Sequence, residues 1–215
     1  MSGDGGLRDL RVDYGREPLD ERAMHADPLE QFRVWFGEAV AAGIPEPNAM
    51  TLGTAEAGGR VSCRTVLLKG FDGRGFVFYT NHGSRKGRQL AANPRAALLF
   101  AWLTLERQVE IEGRVERVSE EESEEYFQSR PFGSRLGAWV SEQSSVIASR
   151  EVLTARFAEL KAKFADGNMP KPEFWGGYRV VPELVEFWQG GHDRLHDRFL
   201  YEKRGEIWQR VRLAP

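Results

Sequence analysis

Residues 50–80 read MTLGTAEAGGRVSCRTVLLKGFDGRGFVFYT, and the fold turns on this stretch. Runs of β-branched and aromatic residues (MTLGTA, RVSCRTVLLK and FVFYT) are cut by the turn segments EAGG and FDGRG, the pattern of three antiparallel strands. Beyond them a short helix runs from Ser84 to Ala92 and stops at Asn93-Pro94, because the residue before a proline is pushed out of the α region. AALLFAWL and RQVEIEGRVERV then read as two more strands. Five strands by residue 118 predict a meander closing into a barrel.

Working outward, Asp27-Pro28 opens a helix as an N-cap followed by proline in the first turn. Leu29, Phe32, Trp35, Phe36 and Val40 give its apolar face, and Gly43 ends it. Ser119 and Glu122 form a capping box, with the acidic run Glu120, Glu121, Glu122, Glu124 and Glu125 as a solvated face. Leu153, Phe157, Leu160 and Phe164 mark a longer helix before Gly167 and Pro170. The C-terminal part returns to strands in YRVVPELVEFWQ, DRFLYEK and EIWQRVRL. Residues 1–26 have no apolar period and read as a flexible arm, leaving 27–215 as a single domain. The fold class expected is mainly β with flanking helices.

Composition narrows the function. With 41% hydrophobic and 29% charged residues the chain reads as an ordinary globular protein that needs no staples. Cys63 is the single cysteine, so no intramolecular disulfide or multi-cysteine metal site forms; it reads as a buried small apolar residue. No run of about 18 apolar residues and no basic-then-apolar leader occurs, so a cytoplasmic location away from membranes is expected. A net charge of -2 offers no broad field for nucleic acid, so any anion site must be local. G-x-G-x-x-G, G-x-x-x-x-G-K-[ST] and G-x-S-x-G are all missing, which leaves a Rossmann site, a P-loop and a hydrolase elbow unsupported. His192 and His196, four apart, follow Gly190-Gly191 and precede an alternating stretch, a poor setting for a helical zinc pair; no metal is expected.

Four segments hold cations that a plain barrel does not need. Arg64 and Lys69 bracket an apolar strand, on opposite faces unless a bulge intervenes, or are two snorkelling surface cations. Gly83, Ser84, Arg85 and Lys86 start a helix, where free N–H groups and the dipole favour a phosphate, although basic helix starts are common on surfaces. SRPFGSRLGAWVSEQSS supplies Arg130, Ser134, Gln143 and Ser144 among glycines and tryptophan, a composition suited to a polar ligand with an aromatic plane. Arg194, His196 and Arg198 alternate after a glycine turn, so an extended strand would put all three on one face. There an anion or an electron-rich ring would relieve their repulsion, or Asp193 and Asp197 would serve as counter-charges.

The strings RTVLLK, FYTN-x-GSRK, N-P-R, LERQV, YFQSRP, GAWVS-x-QSS, FWGG-x-R and EFWQGG-x-DRLHDRF together resemble the pyridoxamine 5′-phosphate oxidase family, in order and along nearly the whole chain. The resemblance implies an FMN-binding split β-barrel, a homodimer with two FMN at the subunit interface, and oxidation of pyridoxine or pyridoxamine 5′-phosphate to pyridoxal 5′-phosphate with O2 as acceptor. It assigns FMN to Arg64, Thr65, Val66, Leu67, Leu68, Lys69, Tyr79, Thr80, Arg85, Lys86, Gln108, Gln143, Ser144, Trp188 and Arg198. It assigns the substrate to Arg11, Tyr14, Lys69, Tyr126, Arg130, Ser134, Arg194, Leu195 and His196, with Arg11 and Tyr14 on a lid. Arg194 would orient the substrate, His196 would assist proton movement, and Arg198 would stabilise charge on the flavin. His192 falls where the family varies and is given no catalytic role. Two rival readings are a split-barrel oxidase acting on another aromatic and a non-catalytic protein that binds flavin or haem.

Overall fold

The structure is a computed structural model and describes residue 6, residue 10 and residues 13–215. Helix α1 (Pro28–Ala41) begins as expected: the Asp27 carboxylate accepts from Leu29 N–H at 2.7 Å and Pro28 occupies the first turn. Phe32, Trp35 and Ala39 are buried on its inner face, whereas Val40 is exposed, one residue off the expected stripe.

Nine strands are described: β1 (Ala49–Ala55), β2 (Val61–Leu67), β3 (Gly70–Asp72), β4 (Gly75–Asn81), β5 (Arg95–Trp102), β6 (Arg107–Arg117), β7 (Trp175–Gln189), β8 (Asp197–Arg204) and β9 (Ile207–Arg212). The sheet runs β2-β1-β5-β6-β7-β4-β3, with β8 on β7 and β9 on β8. β1 and β2 form the expected hairpin, from Ala49 opposite Leu67 to Ala55 opposite Val61. The expected meander does not continue. The ladder stops at Leu67, Lys69 N–H turns to Val77 O at 2.8 Å, and Gly70–Asp72, with Phe71 and Asp72 read as part of a turn, pairs with β4 as a strand. β4 then pairs with β7, about a hundred residues on. β2 therefore ends the sheet, and Cys63 on it is exposed rather than buried, because an edge strand has cover on fewer sides.

The other helices are α2 (Arg85–Ala92), α3 (Glu120–Ser129), α4 (Phe132–Val140) and α5 (Arg150–Lys163). Ser119 caps α3 by accepting from Glu122 N–H at 3.1 Å, but the Glu122 carboxylate does not close the box; it pairs with buried Arg179 at 3.0 Å. Glu120 likewise pairs with buried Lys171 at 2.8 Å while staying exposed itself, so part of the acidic run is ion-paired as well as solvated. Helix α4 was not anticipated, since its two glycines obscure the helical period.

The chain divides into two compact units, one of residues 1–47, 99–111 and 184–215, the other of 48–98 and 112–183. In the first, Trp35 packs edge-on against Phe187 at 5.1 Å and Phe32 against Phe100 at 4.9 Å. In the second, Phe127, Leu136, Val140, Leu160, Phe164, Met169 and Trp175 form a cluster whose fully buried members each contribute about 1.5–3 kcal/mol. Among the described residues, no helix is long and apolar enough to cross a membrane.

Candidate active site

Within the unit of residues 48–98 and 112–183, cations collect where α2 begins. Ser84 caps the helix by accepting from Gly87 N–H at 3.3 Å, and Ser144 Oγ accepts from Arg85 N–H at 3.1 Å. Lys86 lies buried, its ammonium donating to Thr80 Oγ1 at 3.2 Å and Gln143 Oε1 at 3.4 Å. The half-buried Arg64 guanidinium donates to Leu52 O (3.0 Å), Thr54 Oγ1 (2.6 Å), Ser62 Oγ (2.5 Å) and Gln89 Oε1 (3.3 Å). Neither cation has an ion-pair partner among the described residues, and Arg85 has only Glu56 at 3.6 Å. Burial, then Arg64, pulls the Lys86 ammonium below its usual range; burial also lowers Arg64, against which Arg85 adds repulsion. Lys86 and Arg64, drawn out of water without a counter-charge and with Arg85 beside them, fit a dianion such as a phosphate.

A cleft of about 420 Å³ adjoins this group, lined by Tyr79, Thr80, Arg130, Ser134, Gln143 and Trp175 among others. Thr80 and Gln143, which hold Lys86, thus also face the cleft. Arg130 lies with its guanidinium 4.8 Å from the Trp175 ring centroid, and its Nη1 is buried without a hydrogen-bond partner. Burial pulls its pKa down. An orphaned guanidinium nitrogen that shares a cleft with the Ser134 hydroxyl is the donor set a second phosphate requires. Tyr126, Tyr79 and Trp175 stack in parallel, at 4.0 Å between the tyrosines and 5.4 Å from Tyr79 to Trp175. The glycines of FWGG make this possible: a Cβ on Gly177 would meet the Tyr79 ring at 2.8 Å and one on Gly176 would meet His82 Nε2 at 2.8 Å. Burial, then Glu122 and Tyr126, push the Tyr79 phenol up to about 12, so it stays protonated. Lys69 is exposed, beyond the end of β2, and no contact of its side chain ties it to Arg130; Thr65, Val66, Leu67 and Leu68 present the strand that leads to it.

The other unit holds the remaining expected residues. Tyr14 meets Trp188 at 5.6 Å and His196 at 5.5 Å, both edge-on, and Trp188 meets His196 at 4.8 Å. Gly191 N–H donates to His196 Nδ1 at 3.2 Å, so in the neutral ring the proton sits on Nε2. His196 and Arg194 line a cavity of about 600 Å³ with Tyr14 and Asp193. Arg194, His196 and Arg198 do not share a strand face as alternation suggested: β8 begins only at Asp197, and Asp193 and Arg194 adopt left-handed backbone at φ 53° and 63°. The bond from Gly191 to His196 closes the loop and takes these residues out of the ladder. Leu195 is exposed there. Asp197 accepts from Leu19 N–H and pairs with Arg212, so it is no counter-charge for the loop. Arg198 is ion-paired, donating to Glu186 at 2.7 and 3.0 Å, and lines a small cleft with Gln108 and Trp188. Arg11 lies outside the described residues. No group of metal-ligating residues occurs among those described.

Several residues escaped the sequence reading. Asn81 ties Gly83 N–H (2.7 Å) to Ser141 O (3.3 Å), and Thr54 and Gln89 hold Arg64. Trp175 stood inside a quoted motif without a role. Only the string FYTN-x-GSRK hinted at Asn81; the others depend on long-range pairing.

Comparison with known proteins supplies the family context. Residues 36–164 match the family model described as "Pyridoxamine 5'-phosphate oxidase", and residues 175–215 match "Pyridoxine 5'-phosphate oxidase C-terminal dimerisation region". The pyridoxine/pyridoxamine 5′-phosphate oxidase of Thermosynechococcus vestitus is 58% identical over 209 residues, covering 97% of this chain and 99% of that protein. The protein of the same name from Rubrobacter xylanophilus is 58% identical over 215 residues, covering 99% of each. Among solved structures, PhzG from Burkholderia lata 383, in complex with tetrahydrophenazine-1-carboxylic acid, superposes with a TM-score of 0.89 at 32% identity, covering 95% of this chain and all of that one. A pyridoxamine 5′-phosphate oxidase-related, FMN binding protein from Nostoc punctiforme superposes at 0.68 with 15% identity, covering 86% and 97%, a likeness of fold alone. The fold is the expected split β-barrel class, mainly β with flanking helices.

Proposed function

The chain belongs to the pyridoxamine 5′-phosphate oxidase family, and from that membership we propose that it oxidises pyridoxine 5′-phosphate and pyridoxamine 5′-phosphate to pyridoxal 5′-phosphate, using FMN and molecular oxygen. Each turnover removes two electrons and two protons from the substrate and reduces O2 to hydrogen peroxide; the amine substrate also takes up water and releases ammonia. The observation that carries this reading is the pair of adjoining cationic sites, Arg64 with Lys86 and Arg130 with Ser134, that have no carboxylate of their own.

FMN fits the first site. Arg64, Arg85 and Lys86 would hold its phosphate with Ser144 and Gln143, and Gln108, Trp188 and Arg198 are its other proposed contacts. When bound, FMN supplies the hydride acceptor. The substrate phosphate belongs to Arg130 and Ser134, with Tyr126 and Lys69 as further donors. Arg194 orients the pyridine ring from a loop whose backbone is left-handed there, at φ 63°. His196 donates from Nε2, since Nδ1 already accepts from Gly191; it positions a substrate oxygen rather than removing a proton at that nitrogen. Arg198 is held by both oxygens of the Glu186 carboxylate, so it acts through fixed hydrogen bonds more than through net charge. The active form is a homodimer, which the match to a dimerisation region over residues 175–215 supports.

The test is aerobic incubation of the FMN-loaded protein with pyridoxine 5′-phosphate, following the aldehyde and peroxide together. Equal amounts of both products are expected. Absence of aldehyde, or preferred oxidation of an unphosphorylated tricyclic acid of the kind bound to PhzG, would overturn the assignment.

A further inference from the structure

Glu106 stands between a short 3-10 turn (Leu103–Leu105) and β6, with left-handed backbone at φ 54° and ψ 36°. Few residues with a side chain adopt that conformation unless the surroundings enforce it. Here two contacts from opposite directions do so. The Glu106 carboxylate accepts from Gly15 N–H at 3.1 and 3.4 Å, and its carbonyl accepts from Gly190 N–H at 2.8 Å. Glu106 makes no ion pair among the described residues, so its carboxylate is committed to the arm.

The residues beside those two amides meet. Tyr14, next to Gly15, lies where a side chain on Gly190 would be: a Cβ there would come within 2.7 Å of the Tyr14 ring. The same ring touches Trp188 and His196. One residue therefore clasps the arm on one side and the glycine turn that leads to Arg194 and His196 on the other. We propose that Glu106 is a positioning residue for the oxidation, holding Tyr14 over His196 and so completing the wall against which the substrate ring is held. This rests on the functional reading above.

The test uses Glu106→Ala, Glu106→Gln and Glu106→Gly in the full chain. Hydrogen exchange at the Gly15 amide, read without flavin or substrate, is expected to be about tenfold faster in the Ala and Gly variants and near wild type in Gln, whose amide oxygen still accepts. In the FMN-loaded enzyme the KM for pyridoxine 5′-phosphate should rise about five- to tenfold in Ala and Gly, with kcat changed less than twofold and Gln restoring most of the KM. The Gly variant separates positioning from folding, because it relaxes the left-handed backbone and keeps the carbonyl bond to Gly190 yet removes the carboxylate that holds Gly15. Unchanged exchange at Gly15, or faster exchange with an unchanged KM, overturns the proposal. Were the wild-type chain inert towards the phosphate esters, the functional reading would fall, and the positioning role with it; the Gly15 exchange would then still show whether Glu106 clasps the arm.

Discussion

Lys86 and Arg130 make opposite demands on stability and function. Burying an ammonium without a carboxylate costs the empty protein free energy, so Lys86→Met should leave the thermal midpoint of the flavin-free protein unchanged or higher. The same substitution should weaken FMN binding about 30-fold, the worth of one charge-assisted hydrogen bond, as measured by quenching of flavin fluorescence. A lowered midpoint with undiminished FMN affinity would mean that Lys86 is a structural cation. Arg130→Ala should cut kcat/KM for pyridoxine 5′-phosphate about 100-fold while leaving slow oxidation of unphosphorylated pyridoxine unaffected, since only the phosphate loses a donor. Equal losses on both substrates would assign Arg130 to the fold. Residue types were legible from the sequence here: Arg64, Lys86 and Arg130 stand out as cations among apolar and glycine-rich neighbours. What could not be read was the lack of counter-charge. Glu122 is spent on Arg179, a pairing set by a helix and a strand far apart in the chain, and Glu186 on Arg198 across the neighbouring strands β7 and β8.

At the level of elements, the start of α2 depends on a tight junction. A Cβ on Gly87 would lie 2.1 Å from His82 O, so Gly87→Ala should destabilise the protein by about 2 kcal/mol or more, although alanine favours a free helix by about 1 kcal/mol. Urea titration checks this; a stabilised variant would contradict the close packing. His82 itself packs edge-on against Tyr178 at 5.0 Å, its Nδ1 without a partner, and burial, then Arg117 and Lys171, lower it from 6.5 to about 4. Because the folded value lies below the unfolded one, the unfolded chain takes up the proton first as pH falls. Stability from this group is complete above 6.5 and is lost between 6.5 and about 4. The full shift corresponds to about 3 kcal/mol, and roughly half that is expected for a ring still partly exposed. His82→Gln should flatten the loss of stability between pH 7 and 4.5; an identical slope would refute it. Strands and capped helices were largely legible, because alternation and the Asp27 and Ser119 caps are local signals. The loop before β8 was not: Arg194, His196 and Arg198 alternate as a strand would, but a ring-to-backbone bond from Gly191 bends the chain first.

On the scale of the whole molecule, the strand inventory was readable except for β3, and the order was not. β4 pairs with β7 across about a hundred residues, a choice made by burial on both faces of β7 rather than by any turn. The resemblance carried in eight strings was the one long-range signal, and the family match bears it out. A homodimer of about twice 24.4 kDa is expected by light scattering, with FMN retained by the dimer. In the proposed site, the cations gathered at Arg64, Arg85 and Lys86 are there to serve a phosphate. Titrating the flavin-free protein with FMN and with riboflavin, which share the same ring system and differ by that group, measures this directly. FMN should bind at least about 100-fold more tightly, as two charge-assisted contacts require. Equal affinity for the two flavins would contradict it.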